Sequence, residues 1–301
     1  RPGMVKNAYS AVNNIKNMAN NAFDKSVGNA IISPVQNYRT IRALKKDPKA
    51  NEKIMSLLVP GFSQNPGNMW KHNGMERKRG RFPINMKAYN HLNDKERVAE
   101  ADKYLTRLQE KIQANPRKIL SGHSDGARQG IHIAQNGRVV KKHNIRYVQA
   151  VAPSPHGMKK LKTLGQKVLI PFAHRDNVKK PYGQASALYN AKVQPKIPVD
   201  IVAGKYDALV TPEDAVYKFA NKHYIIDHPD STHFGTSGGN YKMNKLKSDH
   251  LDRIVQQMEK ADKGVKPAPH IGKRIGSPEH KYDSGYQNQQ KNYKRPVSKA
   301  N

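Results

Sequence analysis

The sequence predicts an α/β fold in which a mostly parallel sheet is flanked by helices. Two observations lead to this prediction. Several of the short apolar runs in the middle of the chain are continuous rather than alternating, which indicates strands that are buried on both faces. Amphipathic or polar stretches separate these runs, and such alternation is typical of parallel sheets with helical crossovers. The runs lie at residues 54–59, 118–120, 145–151, 167–172, 199–203 and 224–226.

Two stretches of the chain carry a strong helical pattern. At residues 93–114, either Asn93 or Asp94 is placed to cap a helix. Its apolar face comprises Val98, Ala101, Leu105, Leu108 and Ile112. At residues 249–261, one face comprises Leu251, Ile254, Val255 and Met258. Spacings of three and four residues place each set on one side of a helix.

Composition divides the chain into three regions. Residues 1–53 form a basic extension, residues 54–261 the folded domain, and residues 262–301 a basic tail that we expect to be disordered. The extension contains an amphipathic helical pattern, suited to packing on its own domain or to contact with a partner or a membrane surface. Its net-basic stretch at 39–53 suggests a linker.

Charge and cysteine content limit the classes of function. The chain has 54 Lys and Arg against 23 Asp and Glu, a formal net charge of +31. A field of this sign attracts anionic polymers and anionic membrane surfaces without choosing among them, and it also serves solubility. The absence of cysteine excludes disulfides and thiolate nucleophiles. Together with an opening residue that is not Met, it weakly favours an exported or processed protein, with the compartment otherwise undetermined.

The segment at 117–127 carries the strongest chemical signal. A short strand leads directly into Gly122-His123-Ser124-Asp125-Gly126, and a helix-compatible stretch follows at 127–134. A serine on a sharp strand-to-helix turn is strained, and the crowded turn requires residues without side chains on both sides of it. This pattern predicts a nucleophilic Ser124 with Gly122 and Gly126 as the flanking glycines.

An acid and a base follow later strands. Asp207 comes three residues after the run ending at Gly204, with Asp214 and Asp176 as rivals. Asp214 is expected on a helix that starts near Thr211, and Asp176 would be preferred if the 167–172 run were the corresponding sheet strand. His233 follows the last run and precedes Phe234-Gly235, and His228 is the alternative. The order Ser, Asp, His across strand ends predicts that Ser124, Asp207 and His233 converge.

These motifs resemble the α/β-hydrolase superfamily of esterases and lipases. The resemblance covers about residues 54–261 and includes the Pro60-Gly61-Phe62 loop and the Thr232-His233-Phe234-Gly235 loop. It implies acyl transfer through a covalent acyl-enzyme. The oxyanion would be held by the backbone N–H groups of Phe62 and Asp125. Arg128 departs from the family pattern, where a small or apolar residue is usual.

We therefore expect a serine hydrolase that acts on a carboxylic ester without a cofactor or a metal. No metal-binding, phosphate-loop or dinucleotide motif is present in the sequence. Residues 158–198 are long enough for a small cap, and their many lysines favour a polar or short-chain acyl group. The alternative is a basic binding or assembly protein without catalysis, which contacts anionic polymers or membranes through its basic ends.

Overall fold

The computed structural model describes residues 24–61, 66–89, 92, 94–153, 155 and 193–263. Its strands are β1 (Ile54–Val59), β2 (Phe82–Asn85), β3 (Arg117–His123), β4 (Ile145–Val151), β5 (Val199–Gly204) and β6 (Lys222–Ile226). They form one parallel sheet in the order β2-β1-β3-β4-β5-β6. The predicted fold class is confirmed, and the carboxyl ends of all six strands share one edge.

Five of the six predicted runs coincide with strands of this sheet. β1 and β4 have the predicted bounds, whereas β3 extends beyond the predicted 118–120 in both directions. The run at 167–172 lies outside the described residues. The unpredicted strand, β2, has four residues with Pro83 among them, and it pairs at the edge of the sheet. Proline is tolerated at edges, but it weakens the sequence signal of a strand.

The described helices flank the sheet. They are α1 (Ser33–Lys46), α2 (Trp70–Lys78), α3 (Asp94–Ile112), α4 (Asp125–Gln135), α5 (Gly137–Lys142) and α6 (Tyr241–Asp262). A π-helical segment, Asp24–Ile32, precedes α1, and 3-10 turns occupy Ala50–Glu52 and Pro66–Met69. α3 matches the prediction, whereas α6 begins eight residues before its predicted start at 249. None of the helices in the described ranges has the length and apolar character that a membrane span requires.

Residues 39–46 belong to α1, so the prediction of a linker at 39–53 is wrong for these eight residues. α1 packs against β2, with Thr40 and Leu44 fully buried. The Thr40 hydroxyl donates to the Pro83 carbonyl oxygen at 2.8 Å. The buried face of α1 mixes polar with apolar residues, which obscures the hydrophobic period on which the prediction depended.

The two faces of the sheet differ in chemistry. One face is apolar, where residues such as Leu57, Leu120 and Val148 pack with side chains of α1, α3 and α4. The other face lies under α6, where Leu251 and Ile254 cover Ile54, Ile119 and Tyr147.

A row of polar side chains crosses the face under α6. Ser121 donates to Gln149 at 2.7 Å, and Gln149 donates to Nδ1 of His250 at 2.7 Å. His250 completes the chain by donating to Asp200 at 3.1 Å. All four side chains are buried. The low hydrophobic content of the sequence therefore reflects polar groups inside the domain as well as the polar ends.

A second buried polar cluster surrounds Glu76 of α2. Its carboxylate accepts hydrogen bonds from Ser56 at 2.7 Å and from Ser248 at 2.5 Å. Arg81 pairs with it at 2.6 Å, and its guanidinium also contacts Asp252. This cluster joins α2, β1 and α6 through bonds that a buried carboxylate requires, since an unpaired charge there would be costly.

Lys118 is a buried lysine whose effect on the free energy of unfolding can be measured as a function of pH. It is fully buried, and its ammonium donates to the carbonyl oxygens of His143 at 2.8 Å and Pro116 at 3.0 Å. Burial lowers its pKa to about 7. Between this value and the unfolded pKa of about 10.4, the unfolded chain holds a proton that the native protein has lost. Stability from this residue therefore rises with pH in that window, by about 1.4 kcal/mol per pH unit.

The variant Lys118→Met should remove this contribution. Urea denaturation of the parent and the variant between pH 6 and 10 measures the difference in their free energies of unfolding. We expect the difference to be constant below pH 7 and to shift in favour of the parent as pH rises above it. Lys141→Met, at an exposed lysine of α5, is the control and should show no such trend. A difference for Lys118→Met that is independent of pH would contradict the assignment.

Candidate active site

Ser124 lies at the sharp turn between β3 and α4. Its backbone angles, φ 53° and ψ −117°, are strained for a residue with a side chain. A Cβ on Gly122 would lie 2.4 Å from the Gly126 carbonyl oxygen, and one on Gly126 would lie 2.2 Å from that of Pro60. The turn therefore excludes side chains on both sides of the serine, for the steric reason inferred from the sequence.

The structure brings Ser124, His233 and Asp207 together in one hydrogen-bonded chain. The Ser124 hydroxyl lies 3.1 Å from Nε2 of His233, and Nδ1 of His233 lies 2.9 Å from Oδ2 of Asp207. Asp207 is buried and His233 is nearly so, with 12% of its side chain exposed. With Nδ1 donating to the carboxylate, Nε2 has a lone pair directed at the serine hydroxyl.

The loops after β5 and β6 hold this arrangement. Oδ1 of Asp207 accepts hydrogen bonds from the backbone N–H groups of Leu209 at 2.9 Å and Val210 at 2.8 Å. The two loops touch at Gly204, where a Cβ would lie 2.0 Å from the Ser231 carbonyl oxygen. Both oxygens of the carboxylate are therefore engaged, and its orientation toward His233 is set by backbone donors.

The rival residues take other positions. Residues 211–220 form turns, so the helix predicted near Thr211 is wrong. The Thr211 hydroxyl oxygen still accepts from the Asp214 N–H at 3.4 Å, which keeps the local bond of a helix start without a helix. His228 accepts from the Asp230 N–H at 3.1 Å within the turn after β6. Asp176 lies outside the described residues.

Part of the predicted site lies outside the described residues, and part is at the start of α4. Phe62, which was expected to supply one oxyanion donor, is not among the described residues. The same is true of residues 158–192, which make up most of the cap expected at 158–198. Asp125, the other expected donor, is the first residue of α4. The amide groups in the first turn of a helix are suited to binding an anion, because their dipoles align and point outward.

Buried charged side chains surround the start of α4, and they explain why an arginine, Arg128, is tolerated on this helix. The Asp125 carboxylate pairs with Arg97 at 2.7 Å and with Arg128 at 3.3 Å. Arg128 also lies 3.9 Å from Asp94 at the start of α3, and His132 lies 3.3 Å from the same carboxylate. An arginine is accommodated in this packed helix because carboxylates on α3 and α4 neutralise it.

Three further residues are linked to His233 by contacts and hydrogen bonds, and none of them was predicted from the sequence: His123, Thr236 and Lys247. The His123 ring centroid lies 4.7 Å from that of His233, and its Nε2 lies 3.3 Å from the Thr236 hydroxyl. Burial lowers the pKa of His123 well below its usual range, and the charges of His233 and Lys247 lower it further. His123 occupies a variable position of the turn motif, so the motif itself carried no signal for it.

Comparisons with known proteins agree with this architecture. Neither family models nor curated protein sequences yield a match to the chain. Among solved structures, the mature lipase BlEst2 from Bacillus licheniformis superposes with a TM-score of 0.52 at 13% identity, covering 68% of this chain and 93% of that one. Est1E from Butyrivibrio proteoclasticus gives 0.50 at 14% identity, with 68% and 90% covered. The chain therefore has the α/β-hydrolase fold.

Proposed function

We propose that the protein is a serine hydrolase that cleaves a carboxylic ester through an acyl-enzyme. The observation that carries the proposal is the continuous chain from the Ser124 hydroxyl through His233 to Asp207, at 3.1 and 2.9 Å. These are hydrogen-bonding distances from nucleophile to base and from base to its orienting acid. The strained turn at Ser124 supports the same role, because it projects the hydroxyl away from the sheet edge.

In the first half of the reaction, the Ser124 oxygen attacks the ester carbonyl while its proton moves to Nε2 of His233. The carbonyl oxygen becomes an oxyanion, which the N–H groups of Asp125 and Phe62 are proposed to stabilise. One such donor is worth roughly 3 kcal/mol. Collapse of the tetrahedral intermediate breaks the carbon–oxygen bond of the ester; the departing oxygen takes the proton from His233 and leaves as the alcohol, while the acyl group remains on Ser124.

In the second half, a water molecule gives a proton to Nε2 of His233 and attacks the acyl carbonyl. Collapse of the second tetrahedral intermediate releases the acid and returns the proton to the serine oxygen. The imidazolium formed in each half is stabilised by the Asp207 carboxylate. A neutral His123, 4.7 Å from His233, avoids the repulsion that a second cationic ring would impose.

The acyl group is proposed to be short or polar. The support comes from the sequence at 158–198, where eight lysines are interspersed among the apolar residues. Charged side chains close to the acyl group would disfavour a long acyl chain, whose binding depends on about 0.8 kcal/mol for each buried CH₂.

A series of p-nitrophenyl esters with acyl chains from two to sixteen carbons tests the proposal. We expect kcat/KM to be greatest at two to four carbons. Ser124→Ala provides the blank and should reduce the rate to background for all members. Preference for the longest chains would contradict the short-chain assignment. If the parent hydrolyses none of the esters, the alternative of a basic binding protein without catalysis is favoured instead.

A further inference from the structure

Lys247 lies in the interior of the domain and contacts the loop that carries His233. It belongs to α6, and the residue is 1% exposed. Its ammonium donates to the carbonyl oxygen of Thr236 at 2.9 Å. Its own carbonyl oxygen accepts from Gln149 of β4 at 3.0 Å, which ties this turn of α6 to the sheet. Lys247 therefore connects the sheet, through its carbonyl oxygen, to the loop at 232–236, through its ammonium.

Thr236 in turn is bonded to the backbone around His233. Its hydroxyl lies 3.1 Å from the His233 carbonyl oxygen and 3.2 Å from that of Thr232. The Thr236 N–H donates to the Thr232 carbonyl oxygen at 3.0 Å, and the Gly235 N–H donates to the Thr232 hydroxyl at 3.1 Å. Residues 232–236 thus form a small bonded unit that includes the backbone of His233, and Lys247 anchors the end of that unit.

Keeping Lys247 charged in the interior costs free energy, because the buried ammonium loses its contact with water. Burial lowers its pKa to about 7, although the charge of Glu76 favours the protonated form. The same ammonium lowers the pKa values of His72 and His123, which lie near it. An apolar side chain of similar length would fill the space without this desolvation cost. What an apolar side chain would not supply is the hydrogen bond to Thr236.

We propose that Lys247 is a positioning residue for His233, acting through the Thr236 carbonyl to hold the imidazole in line with Ser124. The inference rests on the proposed function, because it assumes that His233 must be held in position to accept the Ser124 proton. Small displacements of a base from its nucleophile have large effects on rate: about 1 Å of misplacement can cost on the order of 100-fold.

The variant Lys247→Met, compared with Lys118→Met, tests this role. Both substitutions remove a fully buried lysine whose pKa is lowered to about 7 and whose ammonium bonds to backbone carbonyl oxygens. Lys118 lies at the amino end of β3, away from the edge that carries Ser124. We expect Lys247→Met to lower kcat for p-nitrophenyl acetate about tenfold or more with KM nearly unchanged, whereas Lys118→Met leaves both within about twofold. Equal effects of the two variants on kcat would overturn the proposal.

Hydrogen exchange separates this proposal from the proposed function. In Lys247→Met, amide exchange in the peptide covering 232–237 should accelerate at least about tenfold, while Lys118→Met leaves it unchanged. This readout needs no activity, so it decides the anchoring role even if the parent hydrolyses no ester. Unchanged exchange in Lys247→Met would refute the anchor. If the Met variant does not fold, Lys247→Gln, which keeps an N–H donor, is measured in the same way and should show smaller changes in the same direction.

Discussion

Replacing His233 with Ala should lower kcat for a short-chain ester by about 10⁴-fold or more, to the level that substrate binding and the proposed oxyanion donors supply alone. The reason is that Nε2 of His233, 3.1 Å from the Ser124 oxygen, is the group placed to accept the hydroxyl proton. Without it, the serine must attack as an unactivated alcohol. Steady-state assays at several enzyme concentrations measure the loss against the uncatalysed rate.

His228 provides a matched control for this variant. It lies in the same loop region after β6 and was the alternative base, but its Nδ1 is bonded to the Asp230 N–H. His228→Ala should therefore keep kcat within about threefold, as expected for a substitution away from the reacting groups. If His228→Ala lost activity and His233→Ala retained it, the assignment of the base would be wrong.

Replacing Asp207 with Asn should lower kcat by about 10⁴-fold. Oδ1 of Asp207 accepts from the N–H groups of Leu209 and Val210, so the amide oxygen of an asparagine would remain at that position. Its NH₂ group would then face Nδ1 of His233, 2.9 Å away. Because this group donates, Nδ1 would have to accept, and the ring proton would move to Nε2, where it blocks transfer from Ser124.

Asp214→Asn is the control for this substitution. Asp214 lies in the turns after β5, and its backbone N–H bonds to Thr211, but it takes no part in the chain to Ser124. We expect its kcat to stay within about threefold of the parent. A large loss in Asp214→Asn combined with a small loss in Asp207→Asn would show that the orienting acid is Asp214 rather than Asp207.

The sheet and the convergence of Ser124, Asp207 and His233 were predictable because each depends on local sequence. Mostly apolar runs mark β1, β4 and β5, since strands buried on both faces are rich in apolar side chains, although the buried Gln149 and Asp200 interrupt two of them. Parallel strands have their carboxyl ends at one edge, so polar residues that follow different strands meet there. The glycines on either side of Ser124 also predict the sharp turn, because the turn leaves no space for side chains there and the pattern needs only five consecutive residues.

Elements stabilised by polar burial were not predictable in the same way. β2 contains Pro83, and α1 buries Thr40 beside Leu44, so neither shows a clean hydrophobic period. The turns after Thr211 have the capping residues of a helix, but Val210 and Ala215 are buried in the core by tertiary packing. In these cases long-range contacts override local preference.

The buried lysines illustrate the same limit within the site. Lys247 is one of many lysines in a chain with a net charge of +31, and by composition alone it would be assigned to the surface. Its partner, the Thr236 carbonyl, is eleven residues away and carries no side-chain signal. Only the packing of α6 against the sheet identifies Lys247 as an interior group.

Above all, we propose that Ser124 is an activated nucleophile. Treatment with a fluorophosphonate probe, followed by mass spectrometry of the peptides, tests it most directly: the serine oxygen displaces fluoride at phosphorus and leaves a stable phosphonyl ester. We predict one adduct, on the peptide that contains Ser124, with its formation abolished in Ser124→Ala and strongly slowed in His233→Ala. A parent protein that remains unlabelled, or that is labelled equally in Ser124→Ala, would contradict the account.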